Sequence, residues 1–211
     1  MTISRSVLQR LPLYLSALRQ LPPETATISA TALAARLELG DVQVRKDLAS
    51  ICGGGRPKTG YRVPALRTAL ETALGYYDRN RAVIVGAGKL GLALMEYQGF
   101  SEYGLDILAA FDTDPAKTAL QLSRPVLPME QLGPFCRAHG IRIGVVTVPA
   151  AQAQEVCDRL AGCGVRAIWN FAPTHISAGP DILIQNENMA ASLAMLCQHL
   201  RERTGTEATT D

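Results

Sequence analysis

The stretch Arg81–Gly91, RAVIVGAGKLG, decides the fold of this chain. The apolar run Ala82–Val85 predicts a buried strand, and the glycines after it predict a turn into the helix KLGLALMEYQGF. In that helix, Leu90, Leu94 and Tyr97 follow helical spacing. A strand that enters a glycine-rich turn and then a helix is typical of the mouth of a dinucleotide-binding pocket.

Strand and helix patterns alternate through the rest of the chain. The segments DILAAFDTD, IRIGVVTVPA and VRAIWNFAP predict strands, and AQAQEVCDRLAGCG predicts a helix closed by glycine. Such alternation predicts a doubly wound α/β domain of the Rossmann type with a parallel sheet. We assign residues 81–185 to this domain, residues 186–203 to a C-terminal helix and the polar residues 204–211 to a disordered tail.

The glycines of GAGKLG match the spacing G-x-G-x-x-G. Gly86 permits a tight turn, Gly88 lets the backbone approach a pyrophosphate, and Gly91 lets the helix pack closely on the strand. Asp112 ends the next predicted strand 21 residues later, where its carboxylate can accept hydrogen bonds from ribose hydroxyls. Because Asp112 and Asp114 would repel a 2′-phosphate, the pattern favours NAD(H) over NADP(H). A Rossmann domain that binds coenzyme A, or no ligand, stays open at this point.

Two further strand ends, Thr147–Pro149 and Asn170–Pro173, are short and stiffened by proline. Ligands of open sheets lie beyond such strand ends, and the apolar side chains here suit a flat ring without offering a carboxylate to a cation. Ordinary strand-to-helix turns would give the same spacing. His175 is the histidine nearest the expected crevice and the candidate proton donor or acceptor of an oxidoreductase. Since no substrate domain remains, we expect a cofactor-binding protein and not an enzyme.

The first 80 residues differ in charge from the rest. They carry eleven Lys and Arg against six Asp and Glu, a net charge of +5, whereas residues 81–211 carry ten against thirteen, a net charge of −3. Such an asymmetry suggests that the two parts face different partners. The apolar spacing in VLQRLPLYLSALRQ predicts a first helix, and Ser29 and Asp41 are candidate N-caps of two more, separated by a turn at Gly40.

Helix, turn and helix in this order place a recognition helix in the major groove of DNA. Gln43, Arg45 and Lys46 would project from the N-terminal end of that helix towards base edges and phosphates. The following segment GGGRPKTGYRV predicts a β-wing that lays Arg56 and Lys58 on the DNA backbone or minor groove. A small helical dimerisation domain with a flexible basic loop would explain the same residues.

Other classes of protein fit the sequence less well. The apolar runs are the length of strands, so we expect no membrane span, and without a signal-peptide pattern we expect a cytoplasmic protein. The five cysteines are odd in number and scattered, which predicts reduced thiols and not a metal site or a disulfide framework. Cys52 alone falls in the predicted DNA-binding segment.

Six blocks of sequence together resemble one known family across both predicted domains. They are, in chain order, RLPLYL, VRKDLA, GAGKLGLALMEYQGF, AAFDTDP, VTVPAAQAQ and NFAP. They resemble Rex, the bacterial NADH-sensing transcriptional repressor, over nearly the whole chain. The resemblance implies a winged-helix domain (residues 1–80) joined to a Rossmann domain, and a homodimer that exchanges its last helix. It also implies binding to palindromic operator DNA that is released by NADH.

The resemblance implies roles for particular residues. For NAD(H), they are Gly86, Ala87, Gly88, Lys89, Leu90, Gly91, Tyr97, Asp112, Thr147, Val148, Pro149, Asn170 and Phe171. For DNA, they are Arg45 and Lys46 in the recognition helix and Arg56, Lys58 and Tyr61 in the wing, beside Gln43 from the helical pattern.

Some positions depart from the family. The chain has Cys52 where relatives tend to carry an aromatic residue, and its wing is one residue shorter. It has Ser16 and Asn188 where the family usually has an arginine and an aspartate, a charged pair that relays the state of the nicotinamide. The redox response of this chain would therefore depend on other contacts. A dehydrogenase with an N-terminal accessory domain, or a coenzyme A-binding subunit of an acyl-CoA ligase, remains the alternative.

Overall fold

A computed structural model describes residues 3–56 and 59–207, with the side chains of Arg5 and residues 203–207 left out. The chain forms two compact units. Unit 1 comprises Met1–Arg79 together with the short segment Gly99–Gly104, and unit 2 comprises Asn80–Gln98 and Leu105–Asp211. The segment Gly99–Gly104 therefore belongs to the first unit, although its sequence lies within the predicted Rossmann domain.

Unit 1 contains four helices and a small antiparallel sheet among its described residues. The elements are α1 (Arg5–Arg19), β1 (Thr27–Ile28), α2 (Ala30–Arg36), α3 (Asp41–Cys52), β2 (Tyr61–Arg62) and α4 (Val63–Ala73). Ser29 caps α2 as predicted, since its hydroxyl accepts a hydrogen bond from the Ala32 amide at 3.0 Å. The N-cap of α3 is Gly40 and not Asp41, which forms the first turn of that helix.

The core of unit 1 lies where α1, α2, α3 and α4 meet. Leu11, Leu33, Val44, Leu48 and Leu70 are completely buried in it. The strands β1 and β2 pair in antiparallel fashion, and an isolated bridge joins Arg56 to Gly60 just before β2. A helix-turn-helix followed by this small sheet is the predicted winged-helix arrangement.

Unit 2 is a six-stranded parallel sheet with helices between its strands. The strands are β3 (Asn80–Val85), β4 (Leu105–Asp112), β5 (Val126–Pro128), β6 (Ile143–Val146), β7 (Ala167–Asn170) and β8 (Leu183–Asn186). The helices are α5 (Lys89–Glu96), α6 (Pro115–Thr118), α7 (Leu132–His139), α8 (Ala150–Gly162) and α9 (Met189–Glu207). The strand order β5-β4-β3-β6-β7-β8 is that of the doubly wound Rossmann fold, which confirms the predicted class.

Two helices of unit 2 differ from the sequence pattern. The face of α5 that packs on the sheet carries Gly91 and Met95, whereas Leu90 and Tyr97 are exposed. Helix α9 continues to Glu207, four residues into the segment predicted to be a disordered tail, because extending an existing helix costs far less than starting one. Residues 208–211 lie outside the described part.

Other expectations concern membranes and cysteines. Within the described residues, every helix is too short or too polar to cross a membrane. All five cysteines are free thiols, and burial raises the pKa of Cys136 to about 12.

Candidate functional site

The glycine turn after β3 has the geometry that its sequence spacing predicts. Gly86 has a φ of 105°, a left-handed conformation that favours glycine, and its carbonyl oxygen accepts a hydrogen bond from the Thr147 hydroxyl at 2.7 Å. A Cβ on Gly91 would overlap that same carbonyl oxygen and lie 2.8 Å from the Thr147 Oγ1. The turn, the start of α5 and the end of β6 are therefore packed against one another with no space for a methyl group at Gly91.

The position of Gly88 is different. A Cβ there would meet no atom within 4 Å, and the residue is the N-cap of α5 without a side-chain capping bond. The first amides of a helix lack intrahelical partners and carry a partial positive charge. The start of α5 thus offers open space and hydrogen-bond donors, the two properties that a pyrophosphate needs.

Asp112 ends β4 beside this turn. Its Oδ2 accepts hydrogen bonds from the Ala87 amide at 2.7 Å and the Lys117 ammonium at 2.9 Å, and its Oδ1 accepts one from the Asp114 amide at 3.0 Å. Burial raises the pKa of this carboxyl, but the hydrogen bonds from Asp114, Lys117 and Ala87 outweigh it and hold the pKa below its ordinary value. Asp112 is therefore ionised at neutral pH, with one of its roughly four lone-pair positions still open.

A cleft of about 690 Å³ lies beyond the carboxyl ends of the strands, within unit 2. This volume is in the usual range for a small-molecule or cofactor site. Of the predicted cofactor residues, eight line it. They are Gly86, Gly88, Leu90, Asp112, Thr147, Val148, Pro149 and Phe171.

The other predicted cofactor residues lie elsewhere. Ala87, Lys89 and Gly91 form the turn and the start of α5 without lining the cleft, and Tyr97 is the exposed C-cap of α5. Asn170 is completely buried: its amide nitrogen donates to the Thr174 carbonyl and the Asn186 Oδ1, each at 2.8 Å. Its oxygen accepts from the Ala172 amide at 3.0 Å. Every polar atom of its side chain has a partner within the protein, and its role in cofactor binding stays a prediction.

The sequence patterns did not identify several charged or polar residues of the cleft. They include Lys117 from α6 and Gln152, Glu155 and Arg159 from α8. Arg159 donates a hydrogen bond to the Met129 carbonyl at 3.1 Å, which fixes its guanidinium at the wall. The positions of Gln152, Glu155 and Arg159 at i, i+3 and i+7 could have indicated one shared helix face. The exposed His175 is outside the cleft lining.

In unit 1, helix α3 presents the predicted DNA-binding side chains to solvent. Gln43, Arg45 and Lys46 are exposed, and Arg45 forms an ion pair with Asp41 at 3.1 Å, one turn earlier on the helix. Val42 is also 55% exposed at the start of the helix, opposite the buried face. The sequence patterns did not indicate this exposed valine.

Asp47 is a buried acid on the inner face of the same helix. Its Oδ2 accepts from the Arg10 Nε at 2.7 Å and the Tyr14 hydroxyl at 2.6 Å, and its Oδ1 accepts from the Arg10 Nη2 at 2.9 Å. Burial raises the pKa of Asp47, yet the hydrogen bonds from Arg10 and Tyr14 outweigh this and lower it overall. Burial and the hydrogen bond to Asp47 raise the pKa of Tyr14 to about 12. These three residues anchor α3 on α1 and are termed the Asp47 cluster.

Two predicted DNA-binding residues of the wing, Arg56 and Tyr61, differ in their exposure to solvent. Arg56 is exposed and bonded through its backbone to Gly60, while Lys58 lies outside the described residues. Tyr61 is buried, and its hydroxyl has no hydrogen-bond partner among the described residues. Because side chains alternate along β2, Tyr61 faces the core and Arg62 faces solvent. The role of Tyr61 in DNA binding stays a prediction.

Comparisons with known families match both parts of the chain. Residues 78–174 match the family described as "CoA binding domain", and residues 2–49 match the family described as "Putative DNA-binding protein N-terminus". Proteins named "Redox-sensing transcriptional repressor Rex" align along almost the full length. The Treponema denticola protein is 40% identical over 190 residues, covering 89% of this chain and 90% of its own. The Brevibacillus brevis protein is 36% identical, covering 94% and 97%.

Solved structures give the same result. RSP, a Rex-family repressor, in complex with β-NAD⁺ and operator DNA matches with a TM-score of 0.89 and 30% identity over 100% of both chains. Its complex with β-NADH matches with a TM-score of 0.88 and 30% identity over 99% of both chains. Identities of this level, sustained through both units, establish descent as well as fold. This chain is a member of the Rex family of redox-sensing transcriptional repressors.

Proposed function

We propose that this chain represses transcription by binding operator DNA and is released when NADH binds, so that it responds to the NADH/NAD⁺ ratio. The observation that carries the proposal is the presence, in one chain, of a helix-turn-helix unit and a cleft suited to a dinucleotide. The Rex-family repressor RSP binds β-NAD⁺, β-NADH and operator DNA with the same fold. We assign the protein no catalytic step, and we place its action in the cytoplasm because its target is chromosomal DNA.

The glycine turn would hold the pyrophosphate. Gly88 leaves open space beside the first amides of α5, and Gly86 and Gly91 hold the turn in the conformation that exposes those amides. Anions bind well at such helix starts, because the amides donate hydrogen bonds and the helix dipole adds positive potential. The turn therefore fits a pyrophosphate through its open space and backbone amides, without a side-chain ligand.

Asp112 would accept a hydrogen bond from the adenosine ribose. Three donors already use this carboxylate, which leaves one position for a ribose hydroxyl. A second ribose hydroxyl must either displace Lys117 from Oδ2 or bind without a hydrogen bond to Asp112. A 2′-phosphate would meet the negative charge of Asp112 and of the exposed Asp114. This charge supports NAD(H) in place of NADP(H).

The nicotinamide end of the cleft would be formed by Val148, Pro149 and Phe171. NAD⁺ carries a positive charge on the ring that NADH lacks, and burying an unpaired charge against apolar groups is costly. Glu155 also lines the cleft, but it is exposed, so water weakens its attraction for a cation. This lining supports tighter binding of NADH than of NAD⁺.

Helix α3 would enter the major groove. Residues at the N-terminal end of a recognition helix contact bases and phosphates, and here these are Gln43, Arg45 and Lys46, beside Val42. Arg56 and Arg62 on the wing would add phosphate or minor-groove contacts. The net charge of +5 on residues 1–80 supports association with DNA.

A homodimer would bring two such helices to one operator. Met189, Leu193, Leu196 and Leu200 recur every three or four residues along α9, and each is at least 60% exposed. An exposed apolar stripe of this length marks an interaction surface. A second copy that exchanges its α9 would cover the stripe and give the twofold symmetry that a palindromic operator requires.

The relay between cofactor and DNA needs contacts other than the usual charged pair. Ser16 is exposed, and Asn188 caps α9, since its Oδ1 accepts from the Ala191 amide at 2.9 Å. We propose the residues Gln98–Tyr103, which follow α5 along the chain and contribute Gly99–Tyr103 to unit 1. They make specific contacts there. Tyr103 packs edge-on against Tyr76 with 5.1 Å between the ring centroids, and the Glu102 Oε2 lies 3.1 Å from the Arg19 Nη1 in an ion pair.

Coenzyme A is the second candidate ligand, because residues 78–174 match the family described as "CoA binding domain". Both ligands would place a pyrophosphate on the glycine turn. Coenzyme A carries a 3′-phosphate on the same ribose that Asp112 would contact, and the carboxylate would repel it. We therefore expect CoA to bind more weakly than NADH and not to affect DNA binding.

Fluorescence anisotropy of a labelled operator duplex tests the proposal directly. NADH should dissociate the complex at lower concentration than NAD⁺, and CoA should leave it intact. Lys46→Ala should weaken binding and reduce the log–log salt slope by about one unit, as expected for the loss of one phosphate contact. Arg166→Ala, which removes an exposed cation of unit 2 outside the cleft lining, is the control. Equal effects of NADH and NAD⁺ would refute the redox response, and no binding to any duplex would refute the repressor.

A further inference from the structure

Gln43 contacts the Asp47 cluster through Arg10, and this contact fixes the direction of its amide. With its oxygen turned inward, Gln43 accepts a hydrogen bond from the Arg10 Nη1 at 3.1 Å and lies 3.2 Å from the Arg10 Nε, whose single proton is shared with Asp47. The orientation follows from chemistry, since a guanidinium has donors and no acceptor. The nitrogen of Gln43 must therefore point away from Arg10.

Arg10 is itself held in place. Its Nε and Nη2 donate to the two oxygens of Asp47, which is only 4% exposed, and Tyr14 donates to the same carboxylate. A bidentate pair of this kind fixes the plane of the guanidinium. Arg10 cannot turn away from Gln43 without leaving a buried carboxylate unpaired, which is costly. The direction of the Gln43 amide is thus set before any DNA is bound.

This direction changes what Gln43 can recognise. A glutamine that is free to use both amide atoms pairs with adenine, donating to N7 and accepting from the N6 amino group. A glutamine whose oxygen is turned towards Arg10 presents its NH2 group to the groove and donates. It matches best the base edge that offers two acceptors, O6 and N7 of guanine; at adenine it can donate to N7 but cannot accept from the N6 amino group, and it mismatches the amino group of cytosine.

We infer that Arg10 is a specificity-determining positioning residue, which makes Gln43 a donor-only reader of guanine and denies it the usual bidentate pairing with adenine. The inference rests on the proposed function, since it requires α3 to lie in the major groove. Gln43 is the third residue of that helix and is exposed, in the part of a recognition helix that meets base edges.

The test is the base preference of the full-length protein without NADH. Duplexes are first selected by the wild-type protein from a library with a random 20-base-pair core, about two helical turns. Affinities are then measured for each single base-pair change in the selected sequence. Gln43→Ala should flatten the preference at one base pair of each half-site, a loss of about 5- to 150-fold in discrimination. Gln9→Ala, an exposed glutamine beside Arg10 on α1, is the control and should change none.

Arg10→Lys separates specificity from stability. Lysine keeps a positive charge near Asp47 but lacks the second arm that reaches Gln43. The variant should retain DNA binding while its preference at that base pair moves from G·C towards A·T. If Arg10→Lys does not fold, as judged by circular dichroism, Gln43→Glu decides the question. A glutamate beside Arg10 has no donor. The base preference of this variant should therefore move to cytosine, whose amino group can donate a hydrogen bond to the carboxylate.

The outcomes are distinct. A wild-type preference for an A·T pair at the position that Gln43→Ala flattens would overturn the inference, and so would base preferences that Gln43→Ala leaves unchanged. Failure to select any duplex would overturn the proposed repressor function and this inference with it. A purely structural role for Arg10 would lower affinity equally for all duplexes, without moving the preferred base.

Discussion

Replacing either of the two glycines at the start of α5 by alanine tests the cofactor turn, because each substitution adds one methyl group. In Gly91→Ala, the new Cβ would overlap the Gly86 carbonyl oxygen, a backbone atom that cannot move without shifting the turn. Overpacking of this kind costs about 1–3 kcal/mol. For a unit of this size, that corresponds to a decrease of roughly 4–12 °C in the melting temperature.

Gly88→Ala is the matched comparison. Its Cβ enters open space, and its φ of −77° suits any residue, so the free energy of unfolding should change by less than about 1 kcal/mol. The same methyl group occupies the space through which a pyrophosphate would approach the amides of α5. NADH affinity should therefore fall by about tenfold or more, equivalent to at least ~1.4 kcal/mol of binding free energy.

Circular dichroism melting without ligand and fluorescence titration with NADH separate the two effects. Gly91→Ala should melt early, and Gly88→Ala should melt like the wild type but bind NADH poorly. A Gly91→Ala variant as stable as the wild type would refute the packing of the turn. A Gly88→Ala variant with unchanged NADH affinity would refute its role as the pyrophosphate site.

Three further predictions concern other parts of the molecule. Because the folded-state pKa of Asp47 is lowered, its contribution to stability is full above its ordinary value of 3.8 and is lost as pH falls through the lowered value. Asp47→Asn should therefore reduce the acid dependence seen in urea unfolding, and an unchanged acid dependence would refute this role. Leu196→Glu should convert a dimer to a monomer in sedimentation velocity; an unchanged sedimentation coefficient would exclude α9 as the interface. Glu102→Gln should leave operator affinity without NADH within about twofold, since an exposed ion pair is weak, but should shrink the effect of NADH on it. An undiminished NADH effect would move the relay elsewhere.

Local spacing carried most of the information on the fold and the cofactor turn. The positions of Gly86, Gly91 and Asp112 follow from strand and helix periods within one βαβ unit, and the structure brings them together. Asn170 also ends a strand, but a strand end alone does not reveal whether an amide faces a ligand or its own backbone. One of its partners, Asn186, ends β8, a strand that the sequence patterns did not separate.

The sequence patterns could not predict contacts between residues that are far apart along the chain. Asp47 lies between the inward positions Val44 and Ile51, and a carboxylate at such a place requires a buried partner. The pattern could have indicated that need, but it could not choose Arg10, which is 37 positions away on another helix. The burial of Tyr61 was not predicted for a related reason, because the facing of a two-residue strand depends on its pairing with β1.

The central claim is that cofactor and operator binding oppose each other. Nearly complete release of a dimer by NADH requires a difference of about 10⁴-fold between the two states, about 100-fold for each of two sites. Thermodynamic linkage demands that operator DNA weaken NADH binding by the same factor. The most direct measurement is the NADH dissociation constant with and without saturating operator duplex. We predict an increase of about 100-fold per site in the presence of the duplex, and an NADH affinity that does not change with DNA would contradict the account.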